Sequence, residues 1–388
     1  MDICVLNPFF YPYKGGTEKV LYEVYRRLAK RHNISVVTSK PPGSRGNVVE
    51  EIEGIQVLRL RSRYISLPFA PLAFVSMIGL PSAIREARCE IYHINNRYQY
   101  FNDTVAAIRG VGGKMALTIH NALPIGIDPV VDALGLTHDK VWGRELMRKS
   151  DLITGVSRNT IETSVPKGEL GKTYLVYNGV DYKRFRPAGR GSEKVREVME
   201  GLGGRCLSDD ANIMTNGRLV EQKGQIYLIR AVAELKKEGH DLGLLIVGKG
   251  QLEKRLRSEA YNLGLRGRFW IRNGIEEEKL PYYYNAGDVF VAPSLYEPAS
   301  VALLEAMSCE VPSIASRVGG LPEMMGSYGQ YVRPKDPDEI KERILCVLND
   351  RKRARALAER GRRFIIKNHD WDKIAKRYER LFLNTLRY

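Results

Sequence analysis

Glu297 and Glu305 stand eight positions apart in the stretch SLYEPASVALLEAM that begins at Ser294. Two carboxylates at such spacing can grip hydroxyl groups at two points of one ligand. Pro298 suits the first helical position, where its missing N–H would have no partner in any case. Ser300–Met307 then reads as a helix rich in good helix formers. Eight residues at helical rise would set the carboxylates roughly 12 Å apart. The helix start between them offers unpaired N–H groups to an anion. Acid, anion site and acid in that order suit a ligand with hydroxyls at both ends and charge in the middle, the shape of a nucleotide-diphosphate sugar. Two plainer readings stand beside this one. Glu297 could be an acid favoured by the helix dipole, and Glu305, among apolar neighbours, could be half of a buried structural ion pair.

Cations and glycines at strand ends extend the pattern. After the candidate strand Ala211–Asn216 comes Gly217-Arg218-Leu-Val-Glu-Gln-Lys223-Gly224. Arg218 offers a planar fork and Lys223 a point charge, together suited to a diphosphate as it leaves; two solvated surface cations are the alternative. Leu242–Val247 leads into Gly248-Lys249-Gly250, and a further glycine loop, Gly319-Gly320, follows a later strand. Near the start, Ile3–Leu6 leads to Gly15-Gly16, where backbone can approach a ligand, and Thr17 is a good N-cap. The spacing does not fit G-x-G-x-x-G, which argues against a dinucleotide fingerprint. His120 ends the strand candidate Met115–Ile119 and Asn121 follows it. Asn178-Gly-Val-Asp181 is a turn whose polar side chains could face a ligand. Asp336-Pro-Asp338 resembles a metal-binding pair but reads as a cap and start for the helix Glu339–Leu348. No metal site and no cofactor are expected, so arginine, lysine and helix ends must neutralise any phosphate.

These groups need elements to carry them. Short β-branched runs alternate with amphipathic stretches, the pattern of α/β folds with parallel sheets. Further strand candidates are Ile34–Thr38, Gln56–Leu60, Ile91–Ile94, Leu152–Val156 and Thr173–Val176, then Arg268–Ile271, Val289–Ala292 and Pro312–Ala315. Thr17–Arg31 reads as a long helix. A chain of 388 residues is too long for one ordinary core. The Gly/Pro-rich break Phe185–Gly191 divides two series of strands, predicting domains at 1–186 and 187–367. Ligands in such sheets sit beyond the carboxyl ends of the strands, so a cleft between two such domains is the expected site.

Five scattered cysteines without C-x-x-C argue for a reduced, cytoplasmic protein. A net charge of +16, spread over both halves, favours anionic partners: phosphorylated small molecules, an anionic membrane surface or nucleic acid. No zinc finger, aromatic RNA-binding motif or polybasic arm supports nucleic acid. Arg59–Pro81 is basic, then apolar, and interrupted by Pro68, Pro71 and Pro81. It reads either as a loop and core helix of the first domain or as a segment lying on the inner face of the cell membrane, with Arg59, Arg61 and Arg63 towards anionic lipid.

Taken together and in order, these segments resemble the family 4 retaining glycosyltransferases of the GT-B fold. The resemblance implies two Rossmann-like, doubly wound domains facing across a cleft. Residues 368–388 would be a helix crossing back to the first, acceptor-binding domain. It implies transfer of a hexose or related sugar from a UDP- or GDP-sugar to a hydroxyl, lipid-linked or on a glycan. Anomeric configuration is kept by a front-face route through an oxocarbenium-like state. Gly15 and Gly16 would lie by the donor phosphates and the acceptor, with Thr17 and Asn121 on the acceptor side. His120 would contact the transferred sugar. Arg218 and Lys223 would bind the diphosphate and stabilise the leaving group, beside Gly217, Gly248, Gly250 and Ser300. Glu297 would hold donor-sugar hydroxyls and Glu305 the ribose. Three positions depart from the family pattern: Pro298-Ala299-Ser300 in place of a glycine-rich run, Asn121 in place of aspartate, and Glu310 in place of glycine. An epimerase or phosphorylase on the same architecture, or a non-enzymatic basic protein binding membrane or nucleic acid, are the competing readings.

Overall fold

The computed structural model describes residues 1–13, 15–41, 46–65, 74–95, 98, 100, 102–121, 133, 136–189, 191–202 and 211–387. They form two compact units, Met1–Asn178 with Trp371–Tyr388, and Gly179–Asp370. Both are α/β units with parallel sheets.

The first unit carries β1 (Asp2–Leu6), β2 (Asn33–Ser39), β3 (Val48–Ile52), β4 (Ile55–Leu60), β5 (Ser62–Ile65), β6 (Phe74–Met77), β7 (Ile91–Ile94), β8 (Lys114–Ile119), β9 (Leu152–Gly155) and β10 (Thr173–Leu175). Its main sheet runs β10-β9-β8-β7-β1-β2-β4-β3. Every pairing is parallel except β3 with β4. Chain order reverses between β1 and β7, so these strand ends frame the crevice where a doubly wound sheet takes its ligand.

The second unit carries β11 (Ala211–Asn216), β12 (Leu242–Val247), β13 (Phe269–Arg272), β14 (Val289–Ala292), β15 (Ser313–Ser316) and β16 (Gln330–Val332). Their order is β13-β12-β11-β14-β15-β16, all parallel. The reversal lies between β11 and β14. All six residues of β12, LGLLIV, are buried, as expected of a strand covered on both faces. The helix Gln225–Lys237 packs Leu228, Ile229, Val232 and Leu235 into the same core as Ile213, Leu244 and Val291.

The division after Asn178 falls earlier than the Gly/Pro-rich break indicates. The Val180 N–H donates to the His369 carbonyl at 2.8 Å, and Phe185 is fully buried against Tyr284 in the second unit's core. These contacts outweigh local composition. The last helix, Trp371–Arg387, belongs to the first unit. Arg27 donates to Asp372 at 2.6 Å, and Tyr378 and Phe382 pack on His93 with ring centroids 5.5 and 5.3 Å away.

Several local expectations change. The first long helix spans Gly16–Leu28 with Gly15 as its N-cap, so Thr17 lies in the first turn and caps nothing. The helix after Glu297 spans Val301–Ser308, and Ser300 caps it by accepting from the Leu303 N–H. Pro298 therefore precedes the helix, and the spacing of Glu297 and Glu305 is not a helical rise. Glu310, just beyond that helix, adopts φ of 59°, a left-handed position that glycine takes with less strain. The Arg59–Pro81 stretch contributes β5 and β6, paired antiparallel, with Pro81 in the first turn of the helix Leu80–Ala87; residues 66–73 lie outside the described set. Arg59 pairs with Glu50 and donates to the Tyr11 carbonyl at 2.5 Å. Among the described residues no helix is long and apolar enough to cross a membrane. Asp336 accepts from the Glu339 N–H at 2.9 Å and caps the helix Pro337–Asn349, as its position suggests.

Phe382 is fully buried, so Phe382→Ala should destabilise the first unit by about 3–5 kcal/mol through lost transfer energy and the cavity left behind. Denaturant unfolding, followed by a probe specific to that unit, checks this.

Candidate active site

In the second unit the chemistry gathers at the β11/β14 reversal. After β11 the chain turns through Gly217 and exposed Arg218 into a short turn at Glu221–Lys223. After β14 it runs through Ser294 to Glu297. The Lys223 ammonium donates to the Glu297 carboxylate in a close ion pair, with side-chain exposures of 18% and 7%. The Ser294 hydroxyl donates to the same carboxylate oxygen at 3.3 Å. One acid, one ammonium and one hydroxyl thus converge where the two strand ends part.

Two glycines are required here. A Cβ on Gly248, at φ of 151°, would collide with the Gly217 carbonyl. The loops after β11 and β12 therefore touch through backbone, and the Leu219 N–H donates to the Lys249 carbonyl at 3.0 Å. Gly319, at φ of 53°, has no room for a Cβ against the Glu297 carbonyl. The next N–H, of Gly320, donates to that same carbonyl at 3.0 Å. The backbone bearing Glu297 is thus fixed by the loop that follows β15. Gly250 likewise lies against the Leu219 backbone.

Glu305 is buried and turned elsewhere. It accepts from the Tyr284 hydroxyl at 2.7 Å, which in turn accepts from the Asn216 amide at 2.7 Å. Burial, then the Glu305 charge, push the Tyr284 phenol well above its ordinary range, so it stays a donor. The relay runs from Glu305 to the end of β11, beside Gly217. Tyr284, Asn216 and Ser294 were not singled out from sequence, because isolated tyrosine, asparagine and serine carry no spacing signal.

The first unit has its own set. Gly15 and Gly16 open the helix after β1, and the buried Asn7, just past β1, donates to Glu18 at 3.5 Å. His120 follows β8, and its Nε2 meets the Asn95 Oδ1 at 3.1 Å; Asn121 is exposed beside it. Behind them runs a buried polar chain that sequence reasoning missed. Tyr25 bonds to Nδ1 of His93, whose Nε2 lies 2.6 Å from the Thr118 hydroxyl. Thr118 reaches Thr154 at 2.6 Å and Tyr378 at 3.4 Å. Burial, with the nearby His120 second, lowers His93 to about 3, and burial alone lowers His120 to about 4. Both rings are neutral near neutral pH. The only available hint was the polar residues interrupting otherwise apolar strands.

The described chain is similar over its whole length to solved glycosyltransferase structures. Against sucrose-phosphate synthase from Thermosynechococcus elongatus the TM-score is 0.78 at 22% identity, covering 98% of both chains. Against HepE of Anabaena, solved with UDP and glucose, it is 0.78 at 19% identity, again covering 98% of both. These likenesses define the fold as GT-B. A model described as Glycosyltransferase Family 4 matches residues 14–184, and one described as Glycosyl transferases group 1 matches residues 207–364. The chain belongs to the family 4 glycosyltransferases. Among relatives, an uncharacterized glycosyltransferase of Methanocaldococcus jannaschii is 33% identical over 53% of this chain and 52% of its own length. A GDP-mannose-dependent alpha-(1-6)-phosphatidylinositol monomannoside mannosyltransferase of Mycolicibacterium smegmatis is 34% identical over 59% of this chain and 61% of its own. The match thus spans about half to three-fifths of these relatives. A phosphatidylinositol N-acetylglucosaminyltransferase component of Arabidopsis thaliana is 22% identical over 100% of this chain and 83% of its own length.

The two depressed histidines carry a pH consequence. Between about pH 6.5 and 3 the unfolded chain binds protons that folded His93 refuses, so stability falls as pH drops through that window. His93→Gln removes this contribution. Equilibrium unfolding at a series of pH values should show a shallower loss in the variant than in the wild type.

Proposed function

We propose that this protein is a retaining glycosyltransferase that moves a sugar from a UDP- or GDP-sugar to a hydroxyl of a lipid-linked acceptor. The Lys223–Glu297 pair at the β11/β14 reversal, next to exposed Arg218, carries this reading. A diphosphate seated at those strand ends meets Lys223 and Arg218. As the bond from the anomeric carbon to the diphosphate oxygen breaks, negative charge grows on that oxygen, and the two cations stabilise it there. Glu297, fixed through its backbone by Gly319 and Gly320, keeps a second carboxylate oxygen for a sugar hydroxyl. Glu305 is the candidate ribose ligand, poised by Tyr284. No metal or cofactor is required in this scheme. His120, neutral at the end of β8, serves as a hydrogen-bonding partner to the transferred sugar rather than as a cation.

The relatives support the two ends of the reaction. One is named for GDP-mannose and two for phosphatidylinositol-based acceptors, and one solved neighbour holds UDP and glucose. An anionic, inositol-bearing lipid headgroup fits a chain of net charge +16. Such an acceptor places the working protein at a membrane surface.

Calorimetric titration with UDP and with GDP tests the donor site without an acceptor. One nucleotide should bind at micromolar concentration, and Lys223→Ala should weaken it severely. Failure of both nucleotides to bind the wild type would sink the reading. With donor and acceptor present, Arg218→Ala should lower kcat on the order of 100- to 1,000-fold, the usual cost of losing one charge-stabilising donor. Anomeric proton couplings of the product should match those of the donor sugar; an inverted product overturns the retaining route.

A further inference from the structure

Asn95 lies one residue beyond β7 and is 2% exposed. Neither the sequence motifs nor the family pattern singles it out. Its amide is oriented by its own surroundings. Nδ2 donates to the His93 carbonyl at 3.1 Å, an acceptor that only the NH2 end of the amide can face. The amide is therefore not free to flip, and Oδ1 is the atom turned to His120 Nε2 at 3.1 Å. A carbonyl oxygen cannot donate. The ring nitrogen facing it must carry the proton.

We propose that Asn95 is a positioning residue that holds His120 in the Nε2–H tautomer, so that Nδ1 is the lone-pair acceptor offered to a hydroxyl of the transferred sugar. This rests on the reading of His120 as a site residue. The chain of fixation can be followed inward. The backbone of His93 anchors the Asn95 amide, and its ring is clamped between Tyr25 and Thr118. Thr118 lies on β8, two residues before His120. The same strand pair β7/β8 therefore sets both the asparagine and the histidine. Burial keeps the ring neutral, which lets one nitrogen accept while the other donates. A histidine whose partner nitrogen is hydrogen-bonded has its tautomer decided by that bond.

The expected consequence is a contact of fixed polarity. A sugar hydroxyl would donate to Nδ1, and a donor sugar lacking that hydroxyl would lose the contact. Without Asn95 the ring would sample both tautomers, and part of the population would present an N–H where an acceptor is needed.

The test combines a spectroscopic and a kinetic reading on the full chain. Histidine labelled with nitrogen-15 gives tautomer-specific long-range correlations, and the signal absent from His120→Asn identifies His120. The wild type at pH 7 should show the Nε2–H form. Asn95→Ala should show a mixture, and its kcat should fall about ten-fold, the lower end of what losing a ligand-orienting partner costs. Donor KM should change little. Asn95→Gln keeps both the amide N–H and the acceptor oxygen without adding a charge, so it should favour the Nε2–H form and recover part of kcat; equilibrium unfolding of the alanine variant guards against a folding defect. An Nδ1–H ring in the wild type, or an unchanged tautomer in Asn95→Ala, overturns the proposal. So does a shifted tautomer with unchanged kcat. If His120→Asn also transfers sugar at the wild-type rate, the reading of His120 itself has failed.

Discussion

The ion pair between Lys223 and Glu297 joins the loop after β11 to the loop after β14, and the geometry of the candidate site in the second unit depends on it. Both groups are largely withdrawn from water, a placement that costs free energy unless each charge is matched. Here the match is built from several sides. Ser294 adds a donor to the carboxylate, and the Glu297 backbone carbonyl is held by the Gly319–Gly320 turn. Removing either charge leaves the other buried without its counter-charge. The arrangement is thus stable as a pair, and either member can respond to a ligand of the opposite sign.

The first unit works by the opposite device. Its central polar residues are uncharged, and they satisfy one another through a chain of hydroxyls, an imidazole and an amide that spans five elements. Tyr25 comes from the first long helix, His93 from β7, Thr118 from β8, Thr154 from β9 and Tyr378 from the closing helix. Buried polar chains of this kind are stabilising only when each member has a partner. The closing helix supplies both a hydroxyl and the apolar face that seals His93 from water. Return of the chain to the first unit is therefore part of what keeps His93 neutral.

Most strands were legible because a parallel strand covered on both faces is a short, continuous apolar run. Ala211–Asn216, Leu242–Val247, Val289–Ala292 and Ile91–Ile94 are found at the residues their composition indicates. The strands that escaped are peripheral or short. VVEEI in β3 carries two glutamates because it is an edge strand with exposed positions, and QYV in β16 has three residues. The apolar stretch after Arg59 misled for a related reason. Hydrophobicity without a clear period does not distinguish a helix from a pair of strands, and the antiparallel pairing of β5 with β6 is a non-local contact. Helix starts were less legible still. Thr17 and Pro298 are each suited to an N-terminal position, yet Gly15 and Ser300 cap these helices because neighbouring loops decide where the turn begins.

By itself the sequence determined the class of the protein: two α/β units, glycine turns at strand ends, and acids and cations in an order shared with the family 4 glycosyltransferases. Those features are local, and local periodicity and spacing record them directly. Only the tertiary structure decided which groups face each other. It paired Glu297 with Lys223, 74 positions away, gave Glu305 the Tyr284 hydroxyl, and set Asn95 against His120. Such pairings follow from strand order in the sheet, in which β14 lies beside β11 and β7 beside β8. Strand order is a property of how distant segments pack, and no short window of residues carries it.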